Sequence, residues 1–274
     1  MTQPLTMSAR VTAPLKAVRD ALTDPVRMRL WLAEQAEADL PGRYAFWGRH
    51  TLEGHAPHQR PLHADDRTLR LSWTLAGQET VVEIGLREED SGSTVITVSQ
   101  TGFDFSHPGS LGMLETFWAL SVANLVDHLE GRPLTPACDY TATDLRADVR
   151  IAAPPAKVFG SLIDASQVTR WFGFPVDIDA RPGGQYGHGG KILALEPGRL
   201  LTIEWAGTGV FTWEVADADG RTRLTLARTG FDPAHPPYAA WGGELCAAAE
   251  LRRFHELDDW RPIWLHGEHD HLAG

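Results

Sequence analysis

Apolar residues recur along the chain with two periods. Val18, Ala21 and Leu22 fall at i, i+3 and i+4, which predicts one apolar face of a helix opening at Pro14. Asp24-Pro25 ends that helix and starts a second, which carries Leu30 and Trp31. Leu69, Leu71, Trp73 and Leu75 alternate, as on a strand with one buried face, and so do Leu201, Ile203 and Trp205. Further strands are expected over residues 80–86, 94–100, 210–215 and 222–227. Leu114, Phe117, Trp118, Ser121, Val122, Leu125 and Leu129 form a wide helical stripe that Gly131 and Pro133 terminate. Tyr238, Trp241, Leu245 and Ala249 give a second, less apolar stripe.

The two sets are one pattern met twice. Arg10 and Arg150, Asp24 and Asp164, and Trp31 and Trp171 are each 140 positions apart. A later tag, Thr101-Gly-Phe-Asp104 with His107-Pro108, returns 128 positions on as Thr229-Gly-Phe-Asp232 with His235-Pro236. The expected organisation is a first domain over 1–132, a linker over 133–145, a second domain over 146–258 and a tail over 259–274. Each domain runs strand, two short helices, several antiparallel strands, then one long helix. That order is α+β, a curved sheet with one face for the helix to cover. Trp260, Ile263, Trp264 and Leu265 are too apolar to dangle in water and are expected to pack on the body or on a partner subunit.

Length and composition narrow this picture only slightly. The 274 residues, 43% hydrophobic and 22% charged, suit two globular domains. The net charge of −11 argues against nucleic acid and against an anionic membrane face. With no secretory signal and no apolar run long enough for a bilayer, a cytoplasmic location is the default expectation. Cys138 and Cys246 lack metal-type spacing and read as small buried thiols.

Several local features act together: the Ala-Pro helix starts, Asp before and Trp after the second helix, and the turn Arg181-Pro-Gly-Gly184. Leu195-Glu-Pro with Leu200, Glu204-Trp205, Thr229-Gly-Phe231 and a Trp241-led helix complete them. The combination resembles the family named after the activator of the heat-shock protein 90 ATPase, within the START-like (SRPBCC, helix-grip) superfamily. The likeness runs from about Asp148 to Phe254, and the first copy follows it in outline. It implies two tandem helix-grip domains, each a seven-stranded-type sheet around a long helix with an apolar pocket. Its motifs specify fold better than chemistry.

Aromatic residues are the first candidate lining. They are Trp31, Trp73, Phe103 and Trp118 in the first copy. In the second they are Trp171, Phe172, Tyr186, Trp205, Phe211, Trp213, Phe231 and Trp241. Large rings suit an apolar ligand, but they equally suit an ordinary core. Asp104 with His107, and Asp232 with His235, are the acid–base candidates, since a carboxylate can orient a nearby imidazole; a turn cap is the alternative. The glycines of 181–191 lack the Ser or Thr and the following helix of a phosphate loop, and hairpin turns explain them better. His50, His55, His58 and His63 crowd a ten-residue insertion, and His266, His269 and His271 crowd the tail; neither group has the spacing of a rigid metal site.

No catalytic cluster stands out and no cofactor is implied. The leading expectation is therefore a non-enzymatic protein that holds a small apolar ligand, chiefly in the second domain, or engages a protein partner. The alternatives are an enzyme of the polyketide cyclase/dehydratase kind working through Asp232 and His235, and a chaperone-linked interaction module.

Overall fold

The computed structural model describes residues 4–103 and 110–265, in two compact units: Met1–Thr141 with Ile263–Gly274, and Ala142–Pro262. The first unit runs β1 (Leu5–Val11), α1 (Leu15–Thr23), α2 (Pro25–Trp31), β2 (Gln35–Asp39), β3 (Arg43–Trp47), β4 (Gln59–Ala64), β5 (Thr68–Leu75), β6 (Gln78–Asp90), β7 (Ser93–Thr101) and α3 (Ser110–Leu129). The second runs β8 (Leu145–Ile151), α4 (Pro155–Ile163), α5 (Ala165–Phe172), β9 (Gln185–Tyr186), β10 (Gly190–Glu196), β11 (Leu200–Trp205), β12 (Gly209–Ala218), β13 (Arg221–Thr229) and α6 (Tyr238–Glu256). The fold is α+β, a tandem repeat of one antiparallel sheet packed on one long helix.

The sheets differ from the seven-stranded expectation. In the first unit β1-β7-β6-β5-β4 form one sheet, and β2 and β3 form a separate ribbon. The inserted stretch between β3 and β4 separates the two. The Phe46 N–H donates to the Gln59 side chain at 3.1 Å instead of to a strand partner. In the second unit no insertion intervenes, β9 pairs directly with β10, and six strands run β8-β13-β12-β11-β10-β9. The counterpart of β2 shrinks there to a single bridge, Ile178 to Tyr186.

What the two copies share is concentrated at the ends of their helices. Asp24 and Asp164 cap α2 and α5, accepting from the Val26 N–H at 2.8 Å and the Gln167 N–H at 3.0 Å. Behind each cap an indole closes the preceding helix: Trp31 Nε1 donates to the Ala21 carbonyl at 3.1 Å, and Trp171 Nε1 to that of Ser161 at 2.8 Å. Tyr44 and Tyr186 each donate a buried hydroxyl, to the Leu22 and Leu162 carbonyls, both at 3.0 Å. At the far end Glu130 accepts from the Thr12 N–H at 2.9 Å, and Glu256 from that of Ala152 at 2.7 Å. These pairs satisfy helix carbonyls and strand-end amides that would otherwise lack partners.

The segments outside the repeats are also held. Asn124 and Thr135 exchange two hydrogen bonds, at 3.0 and 2.9 Å, and the Tyr140 N–H donates to the Arg49 carbonyl at 2.8 Å. The stretch expected as linker is thus laid on the first unit as far as Tyr140. Near the C-terminus, residues 263–265 extend the sheet beyond β1. Arg10 N–H donates to the Ile263 carbonyl at 3.2 Å, and Leu265 N–H to that of Ser8 at 2.8 Å. Trp260 packs on the second unit, donating to Glu250 at 3.0 Å. Among the described residues no helix is long and apolar enough to cross a membrane.

Candidate functional site

The space between sheet and long helix is where this fold can hold something, and the two units treat it differently. In the first, four rings meet. Phe46 lies edge-on to Trp73 with centroids 5.2 Å apart, Trp73 meets Phe117 at 5.4 Å, and Phe117 meets Trp118 at 5.1 Å. All four are at most 3% exposed. Edge-to-face pairs of this kind add about 0.5–1.5 kcal/mol each beyond the area they bury. A void of about 10 Å³ remains beside Phe117, Ser121, Asn124 and Cys138, scarcely room for one water. Trp73 and Trp118 therefore occupy the space that a lining was expected to surround.

Strand register and helix-end contacts identify the matching positions in the second unit. Gln100 faces Val82, which faces Leu71; Arg228 faces Phe211, which faces Ile203. Trp73 and Trp205, two residues further on, are therefore equivalent. On the helices, Glu130 and Glu256 hold the same strand-end amide, which sets an offset of 126. Trp118 then corresponds to Glu244 and Phe117 to Gly243. A contact checks this: Trp118 Nε1 donates to Gln100 Oε1 at 2.7 Å, and Arg228 donates to both carboxylate oxygens of Glu244, through Nε at 3.2 Å and through Nη2.

The second unit thus has glycine where the first has Phe117. Two residues past Tyr186 it turns, at the exposed His188, where the first unit inserts Phe46. Its Trp205 is half-buried, whereas Trp73 is fully covered. The Trp205 ring lies over Gly190, where a Cβ would come within 3.0 Å of it, so only glycine permits this approach. Gly183 and Gly189, with φ of +81° each, serve the neighbouring turns, in keeping with the hairpin reading of residues 181–191.

The remaining lining candidates divide. Phe211, Trp213 and Trp241 are buried, with the Phe211 and Trp213 rings 5.0 Å apart. Phe103 is buried and Phe231 half-buried. Phe172 is 40% exposed on α5 and touches Phe174 at 4.4 Å. Trp31, Trp171 and Tyr186 are tied to helix carbonyls, as described above.

The charged centre went unrecognised in the sequence. Arg228 and Glu244 sit on the inner faces of β13 and α6, with the guanidinium over the Phe211 ring at 5.6 Å and Nη1 donating to the Thr208 carbonyl at 2.5 Å. Burial pushes the Glu244 carboxyl up to about 7, against the lowering effect of Arg228. A signal was available: Arg228 continues the inward positions of Leu224 and Leu226, and Glu244 interrupts the stripe of Trp241, Leu245 and Ala248.

Asp232 and His235 are in contact at 3.0 Å, and their side chains are 64% and 85% exposed. The Asp232 carboxyl, held below its ordinary range by His235 and by the Ala234 N–H, acts as a turn cap. An acid–base pair at a pocket needs the opposite orientation, which removes the case for this one. Asp104, His107, His266, His269 and His271 lie outside the described residues. Of the inserted histidines, His50 meets the Cys138 carbonyl at 3.2 Å, His63 meets Asp65 at 2.9 Å, and the His55 and His58 rings pair 5.0 Å apart. No group of three or more metal-ligating side chains occurs among the described residues. Burial pushes the Cys138 thiol up to about 12, as for an inert core cysteine.

No curated protein matches the chain. Among solved structures it is similar to CalU16 from Micromonospora echinospora, at 25% identity over 47% of this chain and 76% of that one, with a TM-score of 0.38. It is also similar to DynU16, a protein of the dynemicin biosynthetic locus, at 16% identity over 93% of this chain and 100% of that one, with a TM-score of 0.40. The Aha1 dimer from Colwellia psychrerythraea is 13% identical over 47% and 97%, also with a TM-score of 0.40. Residues 152–254, from the end of β8 almost to the end of α6, match the family described as Activator of Hsp90 ATPase homolog 1-like protein.

Proposed function

We propose that the protein is a binding protein whose second unit holds a small, largely apolar ligand between sheet and helix, with the first unit as its filled counterpart. One observation carries this reading: at the place where Phe117 completes the first unit's aromatic filling, the second has Gly243, and Trp205, in the place of Trp73, is only half-buried. Losing a phenyl ring from a packed core costs stability unless something else fills the space. Native mass spectrometry of the intact protein, purified from its own cells, tests the proposal. Wild type is expected to retain an added mass or to bind 2-methylnaphthalene with quenching of tryptophan fluorescence. Gly243→Phe is expected to do neither. Wild type that retains nothing and binds nothing sinks the reading.

A second reading, engagement of a chaperone, draws on the description of the matching family and on the exposed Phe172 of α5. It predicts stimulation of an Hsp90-type ATPase that Phe172→Ser abolishes. An ATPase rate unaffected by the wild-type protein removes it.

A further inference from the structure

The fold does not need a charge pair between sheet and helix. The first unit joins the same two positions with neutral groups, the Trp118 indole on the Gln100 amide. Replacing a buried ion pair by well-packed neutral groups is often neutral or stabilising. Arg228 and Glu244 are therefore an addition to the scaffold, at the position nearest to the ring missing at Gly243.

Their hydrogen bonding is incomplete in one respect. A guanidinium carries five N–H protons. Nε and Nη2 donate to Glu244, and Nη1 donates to Thr208. One proton on Nη1 and one on Nη2 have no acceptor among the described residues, although Arg228 is only 3% exposed. The guanidinium lies over the Phe211 ring at 5.6 Å, Phe211 meets Trp213 at 5.0 Å, and in the strand register Phe211 faces Ile203. One turn either side of Glu244 on α6 are Ala240, Trp241, Ala247 and Ala248. None of these titrates, and Arg228 is the charged group that acts on Glu244.

We propose that Arg228 is the recognition group of the second unit's site and takes the carboxylate of a small aromatic acid, with Glu244 accepting a proton from solvent as the acid binds. The inference rests on the ligand-binding reading given above and names the class of ligand. Above the Glu244 titration the charges balance as follows: before binding the site holds one guanidinium and one carboxylate. Afterwards it holds the guanidinium, the ligand's carboxylate and a neutral Glu244. Burial has already pushed Glu244 up to about 7, so the proton is taken up readily near neutral pH. Bidentate recognition of a carboxylate by arginine supplies the geometry, and the rings of Phe211 and Trp205 supply the apolar walls.

Two probes test this on the full chain, 2-naphthoate and the neutral 2-methylnaphthalene, each titrated against tryptophan fluorescence at pH 6.5. Wild type is expected to bind 2-naphthoate at least about tenfold more tightly. That preference should weaken by about tenfold per pH unit above the Glu244 titration, as uptake of one proton requires. The Arg228→Gln/Glu244→Gln variant, neutral like the first unit, should bind the two probes equally. Glu244→Gln alone should keep the preference and lose its pH dependence. Should the double variant fail to fold, calorimetry of wild type at pH 8, above the Glu244 titration, in two buffers of different ionisation enthalpy still measures the proton uptake. Equal binding of both probes by wild type, or binding without proton uptake, overturns this inference and leaves the ligand-binding reading standing. Failure of both probes to bind overturns both.

Discussion

At the same place in the same fold, the first unit sets an indole on an amide and the second sets a guanidinium on a carboxylate. Around the first pair stand Phe46, Trp73 and Phe117; their counterparts in the second unit are a turn, a half-buried Trp205 and Gly243. The ends of the two domains show no such divergence. The caps Asp24 and Asp164 recur, each on an N–H of the first turn that follows, and the indoles Trp31 and Trp171, the hydroxyls of Tyr44 and Tyr186, and the carboxylates Glu130 and Glu256 recur with equivalent partners. The short helices are thus held alike in both units, as is the C-terminal end of the long helix, and the copies differ along the long helix's middle.

That contrast can be broken most directly by exchanging its defining residue. Phe117→Gly should cost the first unit about 4–6 kcal/mol, the loss of a core phenylalanine plus a glycine within a helix. It should also create there a site for 2-methylnaphthalene. Urea unfolding gives the first quantity and tryptophan quenching the second, and a variant that loses stability without gaining a site would show that ring removal alone does not open the fold. Arg228→Gln comes next. It leaves the buried Glu244 without its partner and should cost the second unit about 3–5 kcal/mol, whereas the double change with Glu244→Gln should cost clearly less. If the double variant is the worse, the pair is structural after all.

Tyr44→Phe and Tyr186→Phe should each cost about 1 kcal/mol, alike in both units. Unequal losses in hydrogen exchange of the neighbouring helix would weaken the claim that the ends are equivalent. The smallest expected effect is the pH profile of the second unit, where two groups oppose each other. Glu244, raised to about 7, contributes stability that is present in acid and lost as pH rises from about 4.5 through about 7. His255, half-buried with Nε2 unpartnered, is lowered to about 4 by burial. Its contribution is present above about 6.5 and lost as pH falls toward 4. Glu244→Gln should therefore expose the acid-side loss and His255→Gln the neutral-side loss, both read from exchange of α6 amides. Profiles unchanged by either substitution would contradict these assignments.

The scaffold was legible in the sequence because its contacts are local. A cap and the indole that follows it lie within one helix pair, so Asp164 and Trp171 carry their meaning in their spacing. The middle was not legible, because Arg228 meets Glu244 only after sheet and helix have packed. The repeated tag misleads here. Its copies are 128 positions apart and the helices 126, so counting onward from the tag does not set Glu244 opposite Trp118. The aromatic candidates show the same limit: composition marks Trp73 and Trp205 alike, and only the neighbouring Phe46 and Phe117 make one of them filling and leave the other half-covered.

Residues 263–265, hydrogen-bonded along β1, have a consequence for the order in which the chain is made. The first unit emerges first from synthesis, yet its sheet receives its last segment only after the whole second unit has been translated. Until then the outer edge of β1, with the amide of Arg10 and the carbonyl of Ser8, stands open to any other strand. The second unit is, in chain order, an insertion within the first.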